Sequence, residues 1–374
     1  MRILFITPYP EGVAPSQRFR FEQYFDTLSE NGHSYQVSSF LDKKAWDILY
    51  KKGHTVAKIM ALLRGYFRRL SNLTNLGKFD IIFIHREASP FGPPWFEWLV
   101  TKVFRKYSIY DFDDAIWIPN ASESNRKLTM LFKRFSNASD ICRWSNVVSV
   151  GNTYLSEFAS KENKNVVINP TTIDTDQLHN TTRDHDNEKV IIGWTGSHST
   201  VQYLDVLYPV LKRLEEKYDF EFHVICDVPP KFKLKSMKFI RWSKQNEIND
   251  LLNLNIGVMP LPADIWAKGK CGFKALQYMA LGIPAVVSDV GVNAEIVEHD
   301  LNGCVCNTEL EWEDCLEKLI TNSVYLKKLS SHTRDKIVNN YSLKSNTLNF
   351  LSLFNINQAI DHKLKSSKTS TIKN

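Results

Sequence analysis

Short, nearly continuous apolar runs punctuate the first half of the chain: RILFIT (2–7), YQVSSF (35–40), FDIIFIH (79–85), YSIYDF (107–112), NVVSV (146–150) and NVVIN (165–169). Runs of this length, rich in Val, Ile and aromatic residues, read as buried strands. Helical stretches separate them. One, from about Ser16 to Asn31, predicts Phe21, Tyr24, Phe25 and Leu28 inward, with Gly32 closing it. Strands alternating with helices imply a parallel sheet covered on both faces. The pattern restarts at KVIIGWTG (189–196) and continues through EFHVIC (221–226), KFIRW (238–242), IGVMP (256–260) and PAVVSD (284–289). Helices are expected around 199–217, 245–253 and 272–281, and a final helical region over 342–360.

Each half therefore predicts an α/β unit of Rossmann type, and two such units in tandem predict a cleft between the carboxyl ends of two sheets. The expected division is an N-terminal domain over 1–185 and a second over 186–341, with HNTTRDHDNEK (179–189) as the linker. The helical region 342–360 is expected to return to the first domain. Residues 361–374 have the composition of a flexible tail.

At 374 residues, 43% hydrophobic and 24% charged, the chain has the balance of a soluble globular protein of two domains. A net charge of +6 suggests an anionic partner without pointing to nucleic acid. The six cysteines are scattered in a pattern that matches neither a zinc site nor a disulfide framework; Cys304 and Cys306 read as core. MRILFITPYP reads as a first strand rather than a signal peptide, and no apolar run approaches the roughly 18 residues of a membrane span. A cytoplasmic protein follows, any membrane contact being peripheral.

The stretch Lys268–Val297, KGKCGFKALQYMALGIPAVVSDVGVNAEIV, organises the second half. A Gly- and Lys-rich loop feeds a helix with Phe273, Leu276 and Ala280 at helical spacing, stopped by Gly282 and Pro284. Unpartnered N–H groups at a helix start form a ready anion site. Lys270 and Lys274 flank that first turn, where a lysine opposes the helix dipole unless a polyanion lies beside it. Solvated surface lysines are the alternative.

Other clusters end strands of the first half. YDFDDAIW (110–117) carries Asp111, Asp113 and Asp114, read either as acceptor-hydroxyl contacts or as loop capping. HREASPFGPPW (85–95) offers His85 and Arg86 as acceptor contacts, with Glu87 expected to pair with Arg86. Arg18 and Arg20 follow the first loop, where one can face the cleft or both can be solvated. Residues 43–78 are strongly basic, with Val56, Ile59, Met60, Leu63, Phe67 and Leu70 recurring at helical spacing between cations. A basic amphipathic helix over 51–70 reads as a binder of an anionic membrane surface, the alternative being a helix on the sheet with a solvated basic face. RKLTMLFKRF (126–135) has the same character.

Two facing Rossmann-type domains with GFKALQYMALGIPAVVSDVGVNAEIV in the second resemble the GT-B glycosyltransferases, specifically the family 4 group. VINPTTIDTDQL is similar to that family's domain junction, with Asn169, Pro170 and Asp174 in matching places, and GWTGSHST to the first loop of its donor domain. The resemblance implies transfer of a sugar from a nucleoside diphosphate donor to a glycan or lipid-linked acceptor, in surface polysaccharide or glycolipid assembly. It also implies retention of anomeric configuration, and no metal or cofactor beyond the nucleotide sugar. Donor contacts then fall on Gly196, Ser197, His198, Trp242, Lys268, Lys270, Gly272, Phe273, Lys274 and Gln277. Arg18, Arg86 and Asp111 take the acceptor side, and His85, Asp113 or Asp114 the place near the transferred sugar. The family's two glutamates fall on Gly269 and Gln277, and its Arg and Lys pair on Ser197 and Gln202. Lys270 and Lys274, with Lys268 or His198, are expected to replace the missing cations. A nucleotide-sugar epimerase of the same fold and a catalytically silent homologue acting as a binding partner are the alternatives.

Overall fold

The computed structural model describes residues 1–49, 51, 53–119, 134–185 and 189–355. It separates into two compact units, Met1–Pro170 with the chain from Thr347 on, and Thr171–Asn346.

The first unit holds six parallel strands: β1 (Arg2–Thr7), β2 (Ser34–Ser39), β3 (Ile81–His85), β4 (Tyr107–Phe112), β5 (Val147–Val150) and β6 (Val166–Ile168), in the order β2-β1-β3-β4-β5-β6. β1, β3 and β4 are buried along nearly their whole length, as strands covered on both faces must be. The second unit holds β7 (Ile191–Thr195), β8 (Glu221–Cys226), β9 (Met237–Arg241), β10 (Ile256–Met259), β11 (Ala285–Ser288) and β12 (Gly303–Cys306). Their order is β12-β11-β10-β7-β8-β9, all parallel. That is the doubly wound order with its reversal between β7 and β10, and ligands of such sheets lie beyond the carboxyl ends of the strands at that point.

The helices used below are α1 (Thr55–Asn75), α2 (Phe273–Ala280), α3 (Glu309–Thr321), α4 (Ser323–Asn340) and α5 (Leu343–Ser352). α3 and α4 lie in a stretch for which the sequence reading proposed no helix. α3 starts on a capping box, the Thr308 side chain accepting from the Glu311 amide while Glu311 reaches back to the Thr308 amide. α5 carries the chain back into the first unit, where Phe350 stacks on Tyr24 at 4.2 Å between ring centroids. The expected tail after residue 360, the end of the region 342–360 and most of RKLTMLFKRF lie outside the described residues.

The helix expected from Ser16 to Asn31 is broken. Short helical turns over Pro15–Arg18, Glu22–Tyr24 and Phe25–Glu30 replace it. Gln17, Arg18, Phe19, Arg20 and Phe21 are all buried, and one helix face cannot bury five successive residues. The four residues expected inward are buried nonetheless.

Two cations of the basic segment are turned into the fold. Arg69, fully buried, donates to the carbonyls of Thr7 (2.8 Å), Ser38 (2.9 Å) and Ala88 (2.7 Å). Arg68 donates to the carbonyls of Ser39 and Phe40. Arg68 and Arg69 thus tie α1 to the carboxyl ends of β1, β2 and β3 and are not part of a solvated face. Gly65 lets the helix close on the Phe40 ring, where a Cβ would sit 2.5 Å from Cζ. No helix among the described residues is long and apolar enough to cross a membrane.

Candidate donor site and acceptor-side network

In the second unit the loops after β7 and β10 leave the sheet on either side of its reversal point. Gly196 donates its amide to the Ile225 carbonyl, and a Cβ there would sit 2.3 Å from the Trp194 ring. Ser197 and Thr200 close the turn on themselves, the Ser197 amide donating to Thr200 Oγ1 and the Thr200 amide to the Ser197 carbonyl. His198 is held at two points: its amide donates to Asp227 Oδ1 at 2.6 Å, and its Nδ1 lies 2.9 Å from Asp227 Oδ2. Asp227, immediately after β8, was not among the expected residues; an acid at a strand's end ahead of Val-Pro-Pro is a signal the sequence offers. Trp242, half-buried, follows β9 and donates its amide to the Cys226 carbonyl.

Gly272 is the N-cap of α2 at φ +65°, in the left-handed region, and a Cβ there would lie 2.1 Å from Ile296 Cδ1. As a glycine it brings no side chain of its own to the helix start. Lys270 lies over the Trp266 ring at 5.3 Å and Lys274 over the Trp194 ring at 5.6 Å, so both expected cations are placed by indole faces. Lys268 is exposed, its carbonyl in close approach to Gly291 in the loop after β11. Phe273 is half-buried. Gln277, one turn beyond Lys274, is 2% exposed, and its Nε2 has no hydrogen-bond partner. Tyr278, also missed in the sequence, fixes the helix: its hydroxyl accepts from the Thr195 amide at 2.9 Å, and its ring fills the space that Gly257 leaves.

The expected acceptor-side residues separate into two clusters. Asp111, fully buried at the end of β4, accepts from Ser149 Oγ at 2.6 Å, faces His85 Nδ1 at 2.8 Å and pairs with the Arg20 guanidinium. Arg20 also donates to the Asn169 carbonyl. Burial pushes the Asp111 carboxyl up, but the Arg20 charge and the His85 hydrogen bond outweigh it and hold it below the usual carboxylate range. His85 is fully buried, with its Nε2 unpartnered. Neither Arg20 nor Arg18 is solvated; the Arg18 guanidinium lies over the Phe19 ring at 4.8 Å.

Arg86 gathers the second cluster. Its φ is +59°, its amide donates to the Asp111 carbonyl, and its guanidinium reaches Asp113 Oδ1 and Asp114 Oδ2, each at 2.7 Å. The expected pairing with Glu87 is replaced by these carboxylates, Glu87 instead accepting from Asn137. The side chains of Asp113 and Asp114 are each 14% exposed, so this cluster reaches the surface where the Asp111 network does not.

Residues 189–322 match the family model described as Glycosyl transferases group 1. A search of curated proteins found no match. Among solved structures, sucrose-phosphate synthase from Thermosynechococcus elongatus superposes with a TM-score of 0.68 at 10% identity, over 94% of this chain and 98% of that one. A glycosyltransferase from Rickettsia africae ESF-5 gives 0.66 at 14% identity, over 94% and 97%. Anabaena Alr3699/HepE, solved in complex with UDP-glucose, gives 0.61 at 13% identity, over 98% and 100%. The chain thus has the GT-B fold of the glycosyltransferases, resembles their family 4 group, and matches Glycosyl transferases group 1 in its second unit.

Proposed function

We propose that the protein is a glycosyltransferase that moves a sugar, of hexosyl type, from a nucleoside diphosphate donor to an acceptor hydroxyl. The reading includes retention at the anomeric carbon and no cofactor beyond the nucleotide sugar. The acceptor is a glycan or lipid-linked intermediate of surface polysaccharide or glycolipid assembly, met at the cytoplasmic face of a membrane. The observation that carries the donor site is Gln277: a buried amide N–H without an acceptor costs about 1–3 kcal/mol, and here it lies one turn beyond Lys274 on a helix whose N-cap is a glycine. Ribose hydroxyls would accept from Gln277 Nε2, and the diphosphate would lie against Lys270, Lys274 and the first turn of α2.

Charge grows on the departing diphosphate as the glycosidic bond breaks, so fixed cations and amides act most strongly in the transition state. The Ser197 turn carries no cation; in this reading Lys270 and Lys274 supply the positive charge, with His198 oriented by Asp227 on the opposite loop. The partly exposed Asp113 and Asp114, held by Arg86, are the residues proposed to contact acceptor or transferred sugar. That HepE was crystallised with UDP-glucose, and also with UDP and glucose, supports the choice of donor class.

The test is calorimetric titration of UDP, and of other nucleoside diphosphates, into wild type and Lys274→Ala. Affinity should fall tenfold to a hundredfold, since a hydrogen bond to a charged group is worth roughly 1.5–3 kcal/mol. Unchanged affinity in a folded variant refutes the placement. Incubation with nucleotide sugars then separates transfer from donor isomerisation, the sign of an epimerase, and from binding without turnover.

A further inference from the structure

Helix α1 turns an apolar face to the surface. On a 3.6-residue wheel Val56, Ile59, Met60, Leu63, Phe67 and Leu70 fall within an arc of about 100°, and they are 45–76% exposed. The other side of the helix is committed to the fold through Ala61, Gly65 and Arg69, all buried. Ordinary soluble surfaces rarely gather apolar side chains in this way without a partner.

Charge decides which partner. α1 contains no Asp or Glu, and between residues 43 and 78 Asp47 is the one acid. Arg64 is exposed beside the apolar arc, and Lys43, Lys44, Lys51 and Lys78, exposed as well, lie in the flanking segments. A second copy docked symmetrically through this face would bring the same cations together with no acid on either helix to meet them. An anionic surface with an apolar layer beneath it satisfies both features.

We propose that α1 lies in the plane of an anionic lipid bilayer, its apolar arc at the acyl boundary and Arg64 and the flanking lysines among the headgroups. The proposal rests on the reading of a membrane-presented acceptor and names the surface that would meet the bilayer. Arg68 and Arg69 play no part in the contact: they hold the helix to the unit so that the opposite face points outward.

The test is cosedimentation with vesicles of phosphatidylcholine alone and of phosphatidylcholine mixed with phosphatidylglycerol. Wild type should bind the anionic vesicles at least tenfold more tightly, with release at high salt. The double variant Leu63→Ser/Phe67→Ser, both at exposed positions, should lose at least tenfold with its thermal melt unchanged. Arg64→Gln should lose about fivefold. Equal binding to the two vesicle types overturns the proposal. So does absence of vesicle binding together with a concentration-dependent dimer that the double variant abolishes. Titration of UDP into the double variant keeps the two readings apart. Lost vesicle binding by wild type with intact UDP binding removes this surface alone, whereas vesicle binding without UDP binding removes the donor site alone.

Discussion

Replacing Asp111 by Asn tests whether the deepest polar cluster of the first unit is part of its framework. The carboxylate and the Arg20 side chain are each 1% exposed, so neither charge has water to fall back on. The Asn side chain fits the space but has one acceptor oxygen where the carboxylate has two, and it carries no charge. It can face Arg20 or His85 but cannot neutralise the buried guanidinium. Breaking one partner out of a buried ion pair typically costs about 3–5 kcal/mol. The loss of two charged hydrogen bonds at roughly 1.5–3 kcal/mol each leads to the same range. Urea unfolding of wild type and variant should show the transition of the first unit shifted by that amount, with the second unit's transition in place.

The pH dependence gives a second reading of the same variant. The folded-state carboxyl is held below its unfolded value near 3.9, so its stabilisation is present above about pH 4 and is lost as pH falls through the folded value. The gap between wild type and variant should therefore be full at neutral pH and narrow only in acid. A stability loss below about 1 kcal/mol at pH 7, in a variant with a native spectrum, would refute the framework role. Impaired transfer without such a loss would return Asp111 to the acceptor contacts that the sequence suggests.

Two further outcomes are expected. Gly272→Ala forces a Cβ into the left-handed region and against Ile296, and should cost about 2–4 kcal/mol by thermal melt and weaken UDP binding; Gly272→Ala/Ile296→Val should recover part of the stability, and an unshifted melt in Gly272→Ala would show that the loop has room. Burial pushes the Glu97 carboxyl from 4.5 up to about 7, partly offset by the Ala88 amide that it accepts from. Glu97 therefore favours folding fully below about pH 4.5 and loses that contribution as pH rises through 7, so Glu97→Gln should gain on wild type by up to ~3 kcal/mol at pH 8; identical pH profiles of the two would contradict this.

Most of the strands were readable because they are apolar runs with turn residues at their ends, and burial on both faces leaves no other reading of RILFIT or IIFIH. The α2 segment was readable for a related reason: Gly272 at the helix start and Gly282 after its end mark the boundaries chemically. What stayed hidden depends on long-range pairing. Asp227 and Asp111 both end strands, but only the fold shows that one orients an exposed loop while the other neutralises a buried arginine. The direction of α1 was hidden as well, because its periodicity fixes an apolar arc without saying which side meets the sheet. Arg69 settles it, by finding three carbonyls that only the sheet's strand order brings together.

The return of the chain through α5 has a consequence for biosynthesis. Thr171–Asn346 is continuous, whereas the first unit is completed only by residues from Thr347 on. Phe350, Leu353 and Phe354 are at most 1% exposed, so that unit's core is short of three large side chains until they leave the ribosome. At ~5–20 residues per second, the intervening segment takes roughly 10–35 s to synthesise. During that interval Tyr24 lacks Phe350 and Phe83 lacks Phe354. The second unit has its whole sequence before the first does, and the order of maturation runs opposite to the order of translation.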